Sequence, residues 1–147
     1  MREIHTQIDI AATPERVWKI LTNFDAYPDW NPFIRKASCH ELKAGEILEI
    51  ALLPPGGEGW TFYPVLRRVH PEHELKWRGR FVLPGLFDGE HQFVIEPHGE
   101  RHTRLTQNEQ FRGILVPFLS SQLQKTRAGF EEMNRALKAR AESTLAL

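Results

Sequence analysis

The chain has 147 residues, of which 41% are hydrophobic and 26% are charged, which predicts one globular domain over residues 1–147 rather than a disordered chain. Basic and acidic residues number 19 each, so no net charge favours binding to nucleic acid or to an anionic membrane. The single cysteine, Cys39, excludes an intramolecular disulfide.

The N-terminal segment alternates in character, with Ile4, Thr6, Ile8 and Ile10 in phase, and predicts a strand with one buried face. The strand pattern starts without a preceding basic segment and apolar run, which argues against secretion. No apolar run approaches the ~20 residues that a membrane-spanning helix needs. We therefore expect a cytoplasmic protein that does not insert into membranes.

Two short helices are predicted after this strand. Thr13 fits the N-cap of the first helix, Pro14 fits its first position, and the helix should end near Asn23. The segment 25–33 holds two prolines and three aromatic residues, which indicates an ordered turn or a short second helix.

Six further strands are predicted between Ile34 and Arg112, separated by short turn signals rich in glycine and proline. Short turns favour antiparallel neighbours, so the chain should form a meander. The predicted strands cover about residues 34–42, 46–53, 59–69, 73–81, 90–96 and 101–112.

One long amphipathic helix should follow, because Gly113 breaks the strand pattern and Pro117 can occupy the first turn. It should run to about Ala141, and only this element is long enough to cover the sheet. The predicted fold is α+β, with a curved seven-stranded antiparallel sheet around the C-terminal helix. The apolar residues at helical spacing are Leu119, Leu123, Phe130, Met133 and Leu137.

The last strand places polar side chains in its apolar phase, since Gln107 and Glu109 alternate with Leu105 and Phe111 on one side. Buried polar groups need partners, and water in a partly wet space could supply them. The pattern therefore predicts a pocket between the sheet and the helix.

This order of elements, with the residues at its joints, resembles the helix-grip superfamily, also called SRPBCC or START-like, which includes polyketide cyclases and the birch-pollen-allergen group. The resemblance covers nearly the whole chain. It implies an apolar cavity under the C-terminal helix that holds a lipid, sterol, polyketide or other hydrophobic molecule, in a family that ranges from carriers to cyclases. The segments that carry the resemblance are Ile8–Trp18, Asp25–Phe33, Leu75–Gly79, Gly89–Phe93 and Thr103–Gly113.

We therefore predict that the protein binds a small hydrophobic ligand of lipid, polyketide or aromatic type in this cavity, without a cofactor. Apolar burial would supply the binding energy, while His91, Gln107 and Glu109 would orient a polar end of the ligand. The predicted wall consists of Trp77, His91, Phe93, Gln107, Glu109, Phe111, Leu119, Leu123 and Phe130.

An enzyme is the alternative hypothesis. His91 is in phase with Phe93, and Glu109 lies on the next predicted strand, so the two side chains could meet in the pocket. A buried His–Glu pair can act as general acid and base in a cyclase or dehydratase. A structural hydrogen bond between the two side chains is the simpler interpretation of the pair.

The loop before the strand of His91 carries Leu83, Leu86 and Phe87, flanked by glycine and proline. These apolar residues have no obvious core to enter, so we interpret them as a mobile gate over the pocket or as a dimer contact. The second interpretation gives a third hypothesis, an interaction module, and leaves a monomer or a homodimer open.

Histidine pairs in two predicted turns do not indicate a metal site. His70 and His73 lie in one turn and His98 and His102 in the other, without helical ligand spacing and without a third ligand nearby. We expect no bound metal.

Overall fold

The computed structural model of the chain describes residues 2–80, 85 and 87–143. Two single-turn 3₁₀ helices span Phe24–Ala26 and Val116–Phe118. No helix in these ranges is long and apolar enough to cross a membrane. The elements are β1 (Arg2–Ile10), α1 (Pro14–Thr22), α2 (Tyr27–Trp30), β2 (Ile34–Ser38), β3 (Glu49–Leu52), β4 (Trp60–Phe62), β5 (Val65–His70), β6 (Glu74–Arg80), β7 (Asp88–Pro97), β8 (Thr103–Arg112) and α3 (Ser120–Glu142).

The strands form two antiparallel sheets, ordered β1-β8-β7-β6-β5 and β2-β3-β4. Backbone hydrogen bonds connect the sheets between the segment before β3 and the start of β5: the Leu48 amide donates to the Pro64 carbonyl and the Leu66 amide to the Glu46 carbonyl, each at 2.8 Å. The long helix α3 packs on β1 and β8. The predicted α+β arrangement, a long C-terminal helix on a large antiparallel sheet, is confirmed.

The strand divisions differ in detail from the sequence prediction, which placed seven strands in one sheet. The predicted strand over 59–69 is two strands, because Pro64 has no amide hydrogen for a ladder bond and interrupts the pairing. Helix α3 starts at Ser120 rather than at Pro117, which lies in the 3₁₀ turn before it.

Helix α1 has the predicted ends, with Asn23 as its C-cap. The Thr13 hydroxyl accepts a hydrogen bond from the Arg16 amide, and Pro14 occupies the first turn, where a missing amide hydrogen costs nothing. The Arg16 guanidinium then donates to the carbonyls of Ala141 and Ser143. Since the last carbonyls of a helix lack partners within it, Arg16 stabilises the C-terminal end of α3.

Glu142 forms a second contact at the same end of α3. Its carboxylate accepts hydrogen bonds from the Ala11 amide at 2.8 Å and from the Lys138 ammonium at 2.5 Å. These donors, the backbone amide first, lower the pKa of Glu142 below its ordinary value. The contact fastens the end of α3 to the segment that follows β1.

The middle of α3 lies directly against Phe33, at the start of β2. A Cβ atom on Gly129 would lie 2.3 Å from one ring carbon of Phe33 and 2.5 Å from the next. Phe33 also meets Phe130 edge to face, with ring centroids 5.6 Å apart. A glycine is poor for helix stability, so its place here follows from the close approach of the ring.

We predict that Gly129→Ala lowers the free energy of unfolding by up to about 2 kcal/mol. The clash with Phe33 should cost about 1–3 kcal/mol and outweigh the ~1 kcal/mol of better helix propensity. Urea denaturation measures the change. Ala139→Gly, at an exposed position of α3, reports the propensity contribution alone. A Gly129→Ala variant more stable than the unmodified chain would contradict the prediction.

The contact of Glu142 predicts a pH-dependent contribution to stability. Because its pKa is lowered in the folded state, the contribution is present above the pH where a free glutamate titrates, about 4.3, and is lost as the pH falls through the folded-state pKa. We expect Glu142→Gln to lower Tm at pH 7, with the difference shrinking below about pH 4. Glu131→Gln, on the exposed side of α3, should show no such trend.

Candidate functional site

A cavity of about 50 Å³ lies between the sheets and the N-terminal half of α3. That volume has room for a few water molecules, whereas sites for drug-sized ligands usually measure about 300–1,000 Å³. A larger guest therefore has to displace side chains of the wall. The wall consists of Phe33, Leu52, Trp60, Phe62, Trp77, Phe87, His91, Glu109, Phe111, Gln122, Leu123 and Thr126.

His91 is enclosed by aromatic rings on the inner side of this cavity. Its ring centroid lies 4.8 Å from those of Trp77 and Phe93 and 4.7 Å from that of Phe130. Only 4% of His91 is exposed, so its imidazole is held by packing in one orientation. The ring presents Nδ1 to Glu109 and Nε2 to Gln107.

A buried hydrogen-bond network extends from His91 to the middle of α3. The His91 Nε2 atom lies 2.9 Å from Gln107 Oε1, and Gln107 Nε2 donates to Asn134 Oδ1 at 2.7 Å. Asn134 Nδ2 donates to the Thr6 hydroxyl at 2.9 Å, and this hydroxyl donates to the Gln107 carbonyl at 2.7 Å. These four side chains thereby join β7, β8, α3 and β1, and each of their polar groups has a partner.

Glu109 lies beside this network but has fewer polar partners than its members. Its Oε1 atom lies 3.4 Å from His91 Nδ1, within ion-pairing distance, and the side chain is 9% exposed. Among the described residues it makes no other ion pair or hydrogen bond, although an ionised carboxylate offers about four acceptor sites. Glu109 therefore brings unused acceptor capacity to an otherwise largely apolar cavity.

The structure brings five of the nine predicted wall residues to the cavity: Trp77, His91, Glu109, Phe111 and Leu123. His91 and Glu109 are directly opposite on β7 and β8, as the strand phase predicts.

The other four lie elsewhere. Phe93 and Phe130 are buried behind the wall, where they pack on His91. Gln107 also lies behind it, with its amide engaged by His91 and Asn134. Leu119 is half-buried before the first turn of α3. Contact of all nine with a ligand stays a prediction.

Sequence reasoning missed the partners of Gln107 and part of the wall. Thr6 occupies the buried phase of β1, and Asn134 lies four residues after Phe130 on the buried side of α3. A polar residue in an apolar phase was the available signal in both cases. Of the aromatic residues near Pro64, Trp60 and Phe62 line the cavity, while Tyr63 is exposed. The wall residues that sequence reasoning missed are Phe33, Leu52, Gln122 and Thr126.

Of the three predicted gate residues, only Phe87 can be located, because Leu83 and Leu86 lie outside the described residues. Phe87 is half-buried and lines the cavity. Its ring stacks on that of Phe111, with centroids 5.5 Å apart and planes 6° from parallel. Its position is compatible with a gate, and that role stays a prediction.

No cluster of three or more potential metal ligands occurs in the part of the chain that the structure describes. The rings of His70 and His73 lie 4.5 Å apart at the turn between β5 and β6, and no third ligand joins them among the described residues.

Solved structures with the same fold include aromatase/cyclases and START proteins. The Zhui aromatase/cyclase from Streptomyces sp. R1128 is 15% identical, with a TM-score of 0.78 over 96% of this chain and 93% of that chain. A START superfamily protein from Mycobacterium smegmatis is 21% identical, with a TM-score of 0.73 over 95% of this chain and 97% of that one. At these identities the likeness establishes the fold alone.

No curated protein matches the sequence significantly. The profile of a protein family described as "Polyketide cyclase / dehydrase and lipid transport" matches residues 1–142, which is nearly the whole chain. The fold agrees with that match. The chain belongs to the polyketide cyclase / dehydrase and lipid transport family.

Proposed function

We propose that the protein binds a small hydrophobic molecule of aromatic or polyketide type in the cavity between the sheet and α3, with a polar end of the ligand at Glu109. The observation that carries this proposal is the Glu109 carboxyl group, buried in an aromatic wall with His91 as its one partner among the described residues. A buried carboxyl without further donors is costly unless a ligand or water supplies them.

The composition of the wall supports an aromatic guest. Trp77, Phe111 and Leu123 offer apolar surface, and burying apolar surface contributes roughly 25 cal/mol per Å². The small volume favours a compact, flat molecule over a long acyl chain. Trp60 and Phe87, which are only partly buried, are the side chains best placed to move aside as a guest enters.

The proposal predicts that naphthalene binds with a Kd between roughly 10 µM and 1 mM, which is ordinary for ten carbon atoms. Leu123→Phe should weaken binding at least about tenfold, because the added ring atoms occupy the cavity. Isothermal titration calorimetry measures both affinities.

Gln124→Phe is the matched control, since it adds the same ring at the next, exposed position of α3 and should leave the affinity unchanged. Circular dichroism establishes that both variants fold. Absence of naphthalene binding, or equal affinity in the two variants, would count against a ligand in this cavity.

Acid–base catalysis is the second candidate, and the direct contact of Glu109 with His91 favours it. A carboxyl and an imidazole that meet at a cavity wall can take a proton from a bound substrate and return it. In a cyclase or dehydratase, the first step of this kind removes a proton from carbon next to a carbonyl group.

Exchange of the methyl protons of 2-acetylnaphthalene for deuterium tests this second candidate by NMR in D₂O. For a binding protein we expect the same exchange rate as in buffer alone. Exchange well above that rate, lost in both Glu109→Gln and His91→Ala, would instead establish proton abstraction by the pair and favour an enzyme.

Association through residues 86 and 87 receives less support, because the Phe87 ring already stacks on Phe111 and faces the cavity. A homodimer formed through Leu86 would still predict dissociation in Leu86→Asp. The oligomeric state is read by sedimentation at two protein concentrations.

A further inference from the structure

Two backbone carbonyls set the direction of the network behind the cavity. A carbonyl can only accept a hydrogen bond, and both the Gln107 and the Phe130 carbonyls face side chains of the network. The Gln107 carbonyl lies 2.7 Å from the Thr6 hydroxyl, which must therefore donate to it. The Phe130 carbonyl lies 3.4 Å from the Gln107 amide, so the NH₂ group of that amide must face α3.

The donor and the acceptor of each remaining hydrogen bond follow from these two assignments. The Thr6 hydroxyl uses its hydrogen on the Gln107 carbonyl, so it accepts from Asn134 Nδ2. Asn134 Oδ1 is then the atom that faces Gln107, and it accepts from the Gln107 NH₂ group. Gln107 Oε1 is left to face His91 Nε2 at 2.9 Å, and an acceptor in that position requires a hydrogen on Nε2.

Reversing the two amides produces conflicts at both carbonyls. A reversed Gln107 would place Oε1 beside the Phe130 carbonyl, acceptor against acceptor. A reversed Asn134 would place its NH₂ group against the Gln107 NH₂ group and would draw the Thr6 hydrogen away from the Gln107 carbonyl. Each reversal thus replaces a buried hydrogen bond with a contact between like groups, so a single direction is stable.

This direction determines what Glu109 offers to the cavity. With Nε2 carrying a hydrogen, His91 Nδ1 is the nitrogen that faces Glu109 Oε1. A proton between them can be bound to Nδ1 and donated to Oε1, or bound to Oε1 and donated to Nδ1. The other carboxyl oxygen, Oε2, is then left as an acceptor in both arrangements.

We propose that Thr6 and Asn134 are positioning residues that fix, through the Gln107 amide, the Nε2–H form of His91 and thereby keep Glu109 an acceptor toward the cavity. This inference rests on the proposed function and narrows its ligand class. The site takes an apolar molecule with an O–H or N–H donor, such as a phenol, alcohol or amine, in preference to a carboxylate or a ketone.

The tautomer of His91 is testable without any ligand. Long-range ¹H–¹⁵N spectra of protein labelled at histidine, assigned with His91→Gln, should show hydrogen bound to Nε2 of His91. Thr6→Val removes the hydroxyl at similar volume and should give a mixture of tautomers, while Thr6→Ser should restore the signal. Asn134→Leu, which leaves Gln107 without its acceptor on α3, should also give a mixture.

Two spectral outcomes would overturn the inference. One is an Nε2 atom of His91 without bound hydrogen in the unmodified protein. The other is an unchanged tautomer in folded Thr6→Val or Asn134→Leu. The spectrum of the unmodified protein shows whether His91 Nε2 carries a hydrogen, even where a variant fails to fold.

The ligand class is tested with three bicyclic probes of similar size. 2-Naphthol should bind about tenfold or more tightly than 2-methylnaphthalene, because its hydroxyl donates to a buried carboxyl group. 2-Naphthoate should bind more weakly than either. Glu109→Gln, in which the amide can donate to His91 Nδ1, should reduce the preference for 2-naphthol.

The outcomes separate this inference from the proposed function. Equal affinities for 2-naphthol and 2-methylnaphthalene would refute the donor selectivity while leaving hydrophobic binding intact. Failure of all the bicyclic probes to bind would count against the proposed function, and the spectra of His91 would still decide the positioning role of Thr6 and Asn134.

Discussion

The hydrogen bond between Gln107 and Asn134 is the constraint on which the rest of the structure depends. It joins the middle of β8 to the middle of α3 at 2.7 Å, in surroundings that are almost fully buried. Apolar packing tolerates small sliding of a helix on a sheet, whereas a buried amide pair loses about 1–3 kcal/mol per unpaired group. The pair therefore fixes the position of α3 along the sheet, and with it the orientation of His91.

The same hydrogen bond explains how a buried polar network and a largely apolar cavity lie side by side under one helix. The network satisfies Gln107, Asn134 and Thr6 completely and leaves Glu109 as a buried carboxyl group that faces the cavity. Around it the chain places the aromatic rings of Phe33, Trp60, Phe62, Trp77, Phe87 and Phe111.

The sequence allowed the fold to be predicted because strand alternation and helical spacing were unambiguous. Alternation also placed His91 opposite Glu109, since side chains on paired strands meet at fixed positions. Periodicity gives the face of a helix but not its position along a sheet, so Asn134 could not be identified as the partner of Gln107. Pro64 shows a second limit: a proline predicts an interruption of pairing, but the division into β4 and β5 depends on the bridge to residues 45–48.

Helix α3 is anchored unequally at its two ends. Its last turn is held by Arg16 and by the contact of Glu142 with Ala11, while its first turn has no side-chain cap. Leu123, on the cavity wall, belongs to that weakly held turn. Among the described residues, the first turn is hydrogen-bonded to β1 only at the surface, where Arg2 donates to the Ser120 hydroxyl at 3.3 Å, whereas the segment from Asn134 onward is held by buried amides and by the contacts of its last turn. We therefore expect a larger guest to be accommodated by movement of the first turn, without disturbing the buried amides.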